Sequence, residues 1–293
     1  MRRREKFVYK FSKLKKILED LKLISKQYFS IYMLRIGFLW PFEIINIAIA
    51  LYVWYFYNVA FAKSVQDPLS YIILGLMVQT YLFNTARIVY NSFALTFFSN
   101  ISIGGIRMSR YEHYKVMNIS IEATLLRDIL IGLLSDTFRA FLYLIVAVIF
   151  FNFTINPGAD LILVLTSLLF GFLAAIGMGL IATYSIWITG SIQSTEEPLL
   201  SILLLISNIL CGVYFPIKFL PKPLQYLSYI FPQTYALKIL RGTLLYGWGI
   251  DKLFLDLFIL IIWSSIVFII GVFLVKKSIR RILEGWSPLL GFE

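Results

Sequence analysis

The residues that most often carry enzyme chemistry are scarce in this 293-residue chain, which has one histidine, His113, and one cysteine, Cys211. A catalytic triad or a cluster of imidazole ligands needs partners that a single histidine lacks. A single cysteine forms no internal disulfide and no multi-thiolate metal site. The sequence has no G-x-x-x-x-G-K-[ST] loop to cradle phosphates. It therefore predicts no catalytic, cofactor-binding or metal site in this chain.

Polar side chains interrupt apolar segments at helical spacing. One set falls on a single helical face, at spacings of four, three and four: Thr80, Asn84, Arg87 and Asn91. A second set is expected at the same depth in neighbouring segments: Glu43, Asp136 and Arg139. Such groups are costly in hydrocarbon, so they should face protein or a wet cavity. Two interpretations stay open: a charge cluster joining three helices, with Arg87 neutralised by Glu43 or Asp136, and a substrate path.

The composition that surrounds these residues predicts a membrane protein, since 59% of the residues are hydrophobic and the mean hydropathy is +0.81. Crossing a bilayer takes about 20 apolar residues, and six runs approach or exceed that length, the fifth being the shortest. They are Phe38–Phe61, Leu69–Leu95, Ile129–Phe153, Leu161–Ile188, Leu199–Phe215 and Leu253–Val275. We therefore predict an all-α membrane protein with six transmembrane helices over residues 38–275.

Basic residues account for the net charge of +11 and gather beside these apolar runs. They cluster before the first run, in the loop around Arg107–Lys115 and after Val275, which the positive-inside rule assigns to the cytoplasm. No nucleic-acid partner is needed to explain the charge. Residues 1–37 are predicted to be a basic tail and an amphipathic interfacial helix, and residues 276–293 a cytoplasmic C-terminal tail. The expected location is the plasma membrane, with both termini cytoplasmic.

A proline-rich stretch, Ser207–Gly247, separates the fifth and sixth runs. Its prolines stop helices, which predicts a broken, re-entrant extracellular hairpin that does not cross the bilayer. The order of residues resembles the signature of ABC-2 type ATP-binding-cassette permeases. The matching residues are Gly212, Pro216, Leu220-Pro221, Leu224, Pro232, Tyr235-Ala236 and Leu240-Arg241.

The segment Arg107–Asn118, between the second and third runs, resembles the coupling helix with which ABC-2 permeases dock on their ATPase subunit. Ile106, Tyr111, Tyr114 and Met117 are expected to form one apolar edge of it. The expected ATPase contacts are Arg110, Tyr111, Glu112, Tyr114, Lys115 and Met117. Asn118 departs from the family, which often has proline there.

The resemblance implies a half-transporter without enzymatic activity of its own. Two permease copies, as a homodimer or with a paralogue, would work in the membrane lipid with ATPase subunits that bind ATP and Mg²⁺. The path would be lined by the second and fifth spans, where the candidates on the fifth are Ser201, Leu205 and Asn208. The implied activity is export of an amphipathic or glycan/lipid-type substrate, whose identity stays open.

Two other functional classes stay open beside an exporter subunit. A membrane-embedded, lipid-modifying enzyme would need convergent acids, bases or metal ligands, whereas the carboxylates here are scattered. An ion-coupled carrier would be favoured by internal repeats with broken helices at the midplane, which the sequence does not show.

Overall fold

The computed structural model describes residues 12, 14–26, 41–53, 56, 68–98, 100–103, 106–189 and 198–284. The predicted basic tail at residues 1–11, both ends of the predicted first span and residues 285–293 of the predicted C-terminal tail lie outside this part of the chain. Residues 14–26 form a helix inside the segment predicted to be interfacial.

Within the described residues the fold is mainly helical. The first five elements are α1 (residues 14–26), α2 (Pro41–Val53), α3 (Pro68–Phe98), β1 (Asn100–Ile103) and β2 (Ile106–Ser109). Helices α4 (Arg110–Val116), α5 (Ile121–Phe151), α6 (Leu161–Thr189) and α7 (Pro198–Leu210) follow. A 3₁₀ turn (Ile217–Phe219) then leads to α8 (Lys222–Ser228), α9 (Pro232–Leu244) and α10 (Ile250–Leu283).

Four helices of the described chain, α3, α5, α6 and α10, are long and apolar enough to cross a membrane; their candidate spans have 30, 31, 27 and 34 residues. The two other predicted spans correspond to the shorter apolar helices α2 and α7. At a rise of about 1.5 Å per residue, the 13 residues of α7 cover roughly 20 Å, less than the roughly 30 Å hydrocarbon core. The described residues therefore show four of the six predicted spans at full length.

Contacts between side chains define the relative directions of these helices. Asn84 and Ser92 of α3 meet Asp136 and Asp128 of α5, so the order is reversed and the two helices are antiparallel. Helix α6 is parallel to α3, since its residues 171 and 179 face Leu82 and Ala86. Helix α10 is parallel to α6. A Cβ at Gly271 would lie 2.6 Å from the Gly177 carbonyl oxygen, so only glycine permits this approach.

The parallel order places the C-terminal ends of α3, α6 and α10 together with β1, β2 and α4; we call this the α4 end. Helix α9 contacts the first turn of α3 through Arg241 and Tyr71, so it lies at the opposite, α9 end. Helix α3 is the most buried of the four long spans: 61% of its apolar stretch is buried, whereas only 17% of the apolar stretch of α10 is buried. The core is therefore built around α3.

The proline-rich stretch is broken into short elements, as its sequence predicts. Helix α7 ends at Leu210, and Gly212 adopts a left-handed conformation, φ +76°, that suits glycine. Pro223 and Pro232 lie in the first turns of α8 and α9, where a missing N–H costs no helical hydrogen bond. Twelve of the thirteen residues of α9 are buried.

The loop between α3 and α5 differs from the predicted all-helical pattern. Strands β1 and β2 pair antiparallel, with Asn100 opposite Ser109 and Ile103 opposite Ile106. Arg107 therefore belongs to a strand, and the helix expected over Arg107–Asn118 begins only at Arg110. The β-branched residues at 101, 103 and 106 favour the strand.

Candidate functional site

The short helix α4 is defined at its N-terminus by a capping box. The Glu112 backbone N–H donates to Ser109 Oγ over 3.2 Å, and the Ser109 N–H donates to Glu112 Oε2 over 2.8 Å. These reciprocal bonds satisfy two backbone donors that a helix start leaves free. The Glu112 carboxylate, one of the expected ATPase contacts, thus already accepts hydrogen bonds from its own chain.

The C-terminus of α4 depends on Asn118, whose φ of +56° is left-handed. The Ile119 N–H donates to the Tyr114 carbonyl at 2.9 Å and the Asn118 N–H to that of Lys115 at 3.1 Å, the two bonds of a Schellman motif. A proline ring would hold φ near −65° and remove one donor. The turn therefore excludes proline and suits asparagine, which tolerates a left-handed φ, and this explains the departure at position 118.

One face of α4 packs against the bundle. The Tyr111 ring lies 5.4 Å from the Phe97 ring of α3, centroid to centroid. The Tyr114 hydroxyl accepts a bond of 3.4 Å from Arg127 of α5. Arg127 is 2% exposed and also pairs with Asp128. Sequence reasoning missed Arg127 because it lies outside the apolar run that marks the third span.

The other face of α4 is open and comprises Glu112, Lys115, Val116 and Met117; we call this the docking face. Val116 is 81% exposed and Met117 55% exposed. The predicted apolar edge is therefore wrong as one surface, because Tyr111 and Tyr114 point inwards and Met117 points outwards. Arg110 is half-buried. Val116 was missed, although an apolar residue at the end of a polar helix is a signal that could have found it.

Helix α1 is attached to the turn that follows α4. Lys16 Nζ donates to Asn118 Oδ1 over 2.8 Å. Asp20 Oδ2 accepts from both the backbone N–H (2.9 Å) and the hydroxyl (2.8 Å) of Ser120, the residue preceding α5. A carboxylate at the start of a helix also interacts favourably with the positive end of the helix dipole. Three helices, α1, α4 and α5, thus meet at residues 118–120.

The structure brings four of the predicted polar residues together. Arg139 pairs with Glu43 at 2.7 Å and lies 3.7 Å from Asp136. Asn84 Nδ2 donates to Asp136 Oδ1 at 3.2 Å. Asp136 is 3% exposed, and its Oδ2 has no hydrogen-bond partner among the described residues. This polar cluster links α2, α3 and α5.

Arg87 does not belong to the polar cluster, so its predicted pairing with Glu43 or Asp136 is wrong. Its side chain is exposed, and the described residues form no ion pair with it. Arg139 contacts both carboxylates, since Asp136 lies one turn away on the same helix and α2 brings Glu43 within 2.7 Å. Thr80 and Asn91 are half-buried on α3.

The candidates on α7 are separate from the polar cluster. Leu205 is 62% exposed, whereas Ser201 and Asn208 are half-buried. The Asn208 side-chain oxygen is buried without a hydrogen-bond partner in the described chain. No hydrogen bond among the described residues joins these three to Asp136.

At the α9 end, Arg241 joins three backbone segments. Its guanidinium donates to the carbonyls of Tyr71 (3.0 and 3.2 Å), Gly212 (2.6 Å) and Val213 (2.8 Å). It also stacks on the Tyr71 ring, 3.4 Å from the centroid. Burial lowers the pKa of Arg241 to about 10, so it stays charged at neutral pH. The cation thus binds two carbonyls just beyond the end of α7 and one in the first turn of α3, and we call this arrangement the Arg241 clamp.

The family model for the ABC-2 type transporter matches residues 62–245, which is more than half of the chain. The chain belongs to the ABC-2 type transporter family. A comparison with curated proteins finds no match.

The match to the ABC-2 family covers α3 to α9 and therefore includes both α4 and the Arg241 clamp. The chain is thus a multi-pass membrane protein of permease type, and an ABC-2 permease domain is not itself a nucleotide-binding domain. Among the described residues, no three His, Cys, Asp or Glu side chains are grouped to hold a metal ion. ABC-2 permeases work with an ATP-binding partner subunit.

Proposed function

We propose that this chain is the transmembrane subunit of an ABC exporter that moves an amphipathic or glycan/lipid-type substrate out of the cell. Energy comes from ATP hydrolysed with Mg²⁺ by a separate subunit that binds the docking face of α4. One observation carries the proposal: a short helix, capped at both ends, presents exposed Val116 and Met117 while its inner face is packed on two spans. Exposed apolar anchors with a charged rim suit a compact protein interface.

Contacts behind the docking face support its role in transmitting motion. A push on Met117 passes to α3 through the Tyr111–Phe97 ring contact. It passes to α5 through Tyr114 and Arg127. Asp128 then links back to Ser92 of α3 over 2.9 Å. Because packed and hydrogen-bonded groups do not deform freely, α4, α3 and α5 should move as one unit.

For topology, we propose six spans, with α2 and α7 as the first and fifth, and the α4 end in the cytoplasm. The parallel order of α3, α6 and α10 supports this, since it gathers Lys115, Lys277 and Arg281 at one end. Residues 216–247 then lie outside without crossing. Maleimide labelling of Lys222→Cys in a Cys211→Ser background tests this, and labelling only from the inside would contradict it.

For the substrate path, we propose that it runs between two permease copies, as a homodimer, along α3 and α7. The half-buried side chain of Asn208 and the exposed Leu205 support a surface with both polar and apolar character. The polar cluster of Glu43, Asn84, Asp136 and Arg139 joins three helices beside this path. Its internal pairing favours a structural role over direct contact with substrate.

The docking proposal is tested by pull-down of the co-expressed ABC ATPase subunit with the full-length permease. Val116→Ser with Met117→Ser should reduce recovery of the ATPase about tenfold or more, because the two apolar anchors are lost. A matched control is Tyr226→Ser with Ile230→Ser, two residues at the α9 end that are 73% and 53% exposed. Full recovery with the docking variant, or equal loss with both variants, would overturn the assignment.

A further inference from the structure

Two cations of α10 converge on aromatic side chains at the end of α6. Lys277 Nζ lies 5.3 Å from the centroid of the Tyr184 ring, and the Arg281 guanidinium lies 5.4 Å from the same centroid. Arg281 also lies 5.5 Å from the Trp187 ring. Two positive groups four residues apart on a helix repel each other, and sharing one ring keeps them close.

These two cations have no acidic partner among the described residues. The neighbouring Arg280, by contrast, pairs with Glu284 at 2.7 Å. Beside Arg281, the Trp187 Nε1–H is buried and has no hydrogen-bond acceptor in the described part of the chain. Buried N–H groups are normally satisfied, and the described residues supply no acceptor for this one. Within the described residues, the two cations of α10 therefore lack an anionic oxygen ligand.

An exposed apolar strip leads along α10 to this site. Phe273, one turn before Lys277, is 67% exposed. Ile269 and Ile266 continue the same helical face, with exposures of 66% and 40%. The strip ends where the cations begin. A ligand that fits both parts has an acyl chain and an anionic headgroup.

We propose that Lys277 and Arg281 bind the phosphate of an anionic phospholipid, whose acyl chain lies along Ile266, Ile269 and Phe273, while the Trp187 ring packs against Arg281. Tyr184 positions both cations. Basic residues at the cytoplasmic side of membrane helices attract anionic headgroups, which suits the location of this site. The site shares no residue with the docking face or with the candidate path residues, and it rests on the proposed topology, which places the α4 end in the cytoplasm.

The test is native mass spectrometry of the full chain in detergent, titrated with phosphatidylglycerol or phosphatidylcholine. The unmodified protein should retain phosphatidylglycerol more tightly. Lys277→Gln with Arg281→Gln should weaken its binding on the order of tenfold or more. The matched control, Lys276→Gln with Arg280→Gln, removes the same charge from the same turns and should cost less than about threefold. Equal losses in both variants, or no preference between the lipids, would overturn the site.

Two further measurements separate the parts of the proposal. Tyr184→Leu keeps both cations but removes the shared ring, so it should also weaken phosphatidylglycerol binding, and it replaces the double variant if that one does not fold. Glycerol 3-phosphate carries the same phosphate without acyl chains and should not displace the lipid at equal concentration. Displacement would overturn the role of the apolar strip.

Discussion

The Arg241 clamp offers the sharpest test of how the broken stretch is held. We expect Arg241→Met to destabilise the protein because three backbone carbonyls lose a donor. Val213 O loses its charged donor, whereas Gly212 O keeps a 3.0 Å bond from the Tyr71 hydroxyl. Tyr71 O loses two bonds from the guanidinium.

The size of the effect follows from these contacts. A buried, unsatisfied carbonyl costs about 1–3 kcal/mol, and each of the other two carbonyls loses charge-assisted hydrogen bonding of about 1.5–3 kcal/mol, with the two bonds to Tyr71 O counted as one shared contact. The sum is roughly 4–9 kcal/mol. Removing the charge also removes the cost of burying it, several kcal/mol, so the net loss should be roughly 2–5 kcal/mol. That is a large fraction of the usual 5–15 kcal/mol of folding stability.

The assay is thermal unfolding of the purified full chain in detergent. Arg241→Met should lower the melting temperature by several degrees, and Arg241→Lys should fall between it and the parent because an ammonium lacks the planar fork. Lys222→Met is the matched control: it removes one exposed charge from the same stretch and should have little effect.

A second variant tests whether loss of the Arg241 clamp itself causes the lower melting temperature. A Cβ at Gly75 would collide with Val213 O and with Arg241 Nη2, so Gly75→Ala should disturb the same junction. The double variant with Arg241→Met should then lose less than the sum of the two single losses. Strictly additive losses, or an Arg241→Met protein that melts with the parent, would refute the reasoning.

Three further expectations concern the α4 end and the polar cluster. Arg139→Met should destabilise the protein more than Arg139→Met combined with Glu43→Gln, because the single change leaves a carboxylate unpaired; a larger loss in the double variant by thermal unfolding would contradict this. Asn118→Pro should release the ATPase in the pull-down while Asn118→Gly retains it, since only proline excludes a φ of +56°; equal recovery would argue against the turn. Asp20→Ala should cost about 1 kcal/mol at the start of α5 and lower substrate-stimulated ATP hydrolysis, whereas exposed Glu19→Ala should not.

Several features of the fold could be predicted from local sequence because their causes are local. The four long spans follow from apolar runs, and the break after α7 follows from proline and glycine. The predicted third span began at Ile129, whereas α5 begins at Ile121. The extra turns carry Glu122, Arg127 and Asp128, which hydropathy excludes although they are helical. Hydropathy detects only the apolar part of a helix that can lie in the hydrocarbon core, whereas the helix itself continues into polar turns outside that core.

The α4 segment shows where local pattern stops being sufficient. The sequence indicated a polar-aromatic helix that includes Tyr111 and Met117. Which side of it faces the protein depends on where Phe97 and Arg127 lie, and those belong to other helices. The left-handed conformation of Asn118 likewise could not be predicted from the segment alone. It is accompanied by the Lys16–Asn118 bond and by the bond from the Ile119 N–H to the Tyr114 carbonyl.

By itself, the sequence determined that polar residues on α3 share one helical face, because helical spacing is a property of one segment. Only the tertiary structure decided that Arg139, and not Arg87, pairs with Glu43 and Asp136. Arg241 was likewise visible as part of a family signature, but its three carbonyl partners come from Tyr71 and from Gly212–Val213, 170 and 28–29 residues away. Ion pairs and clamps depend on distances between helices, and those distances arise only when the spans pack.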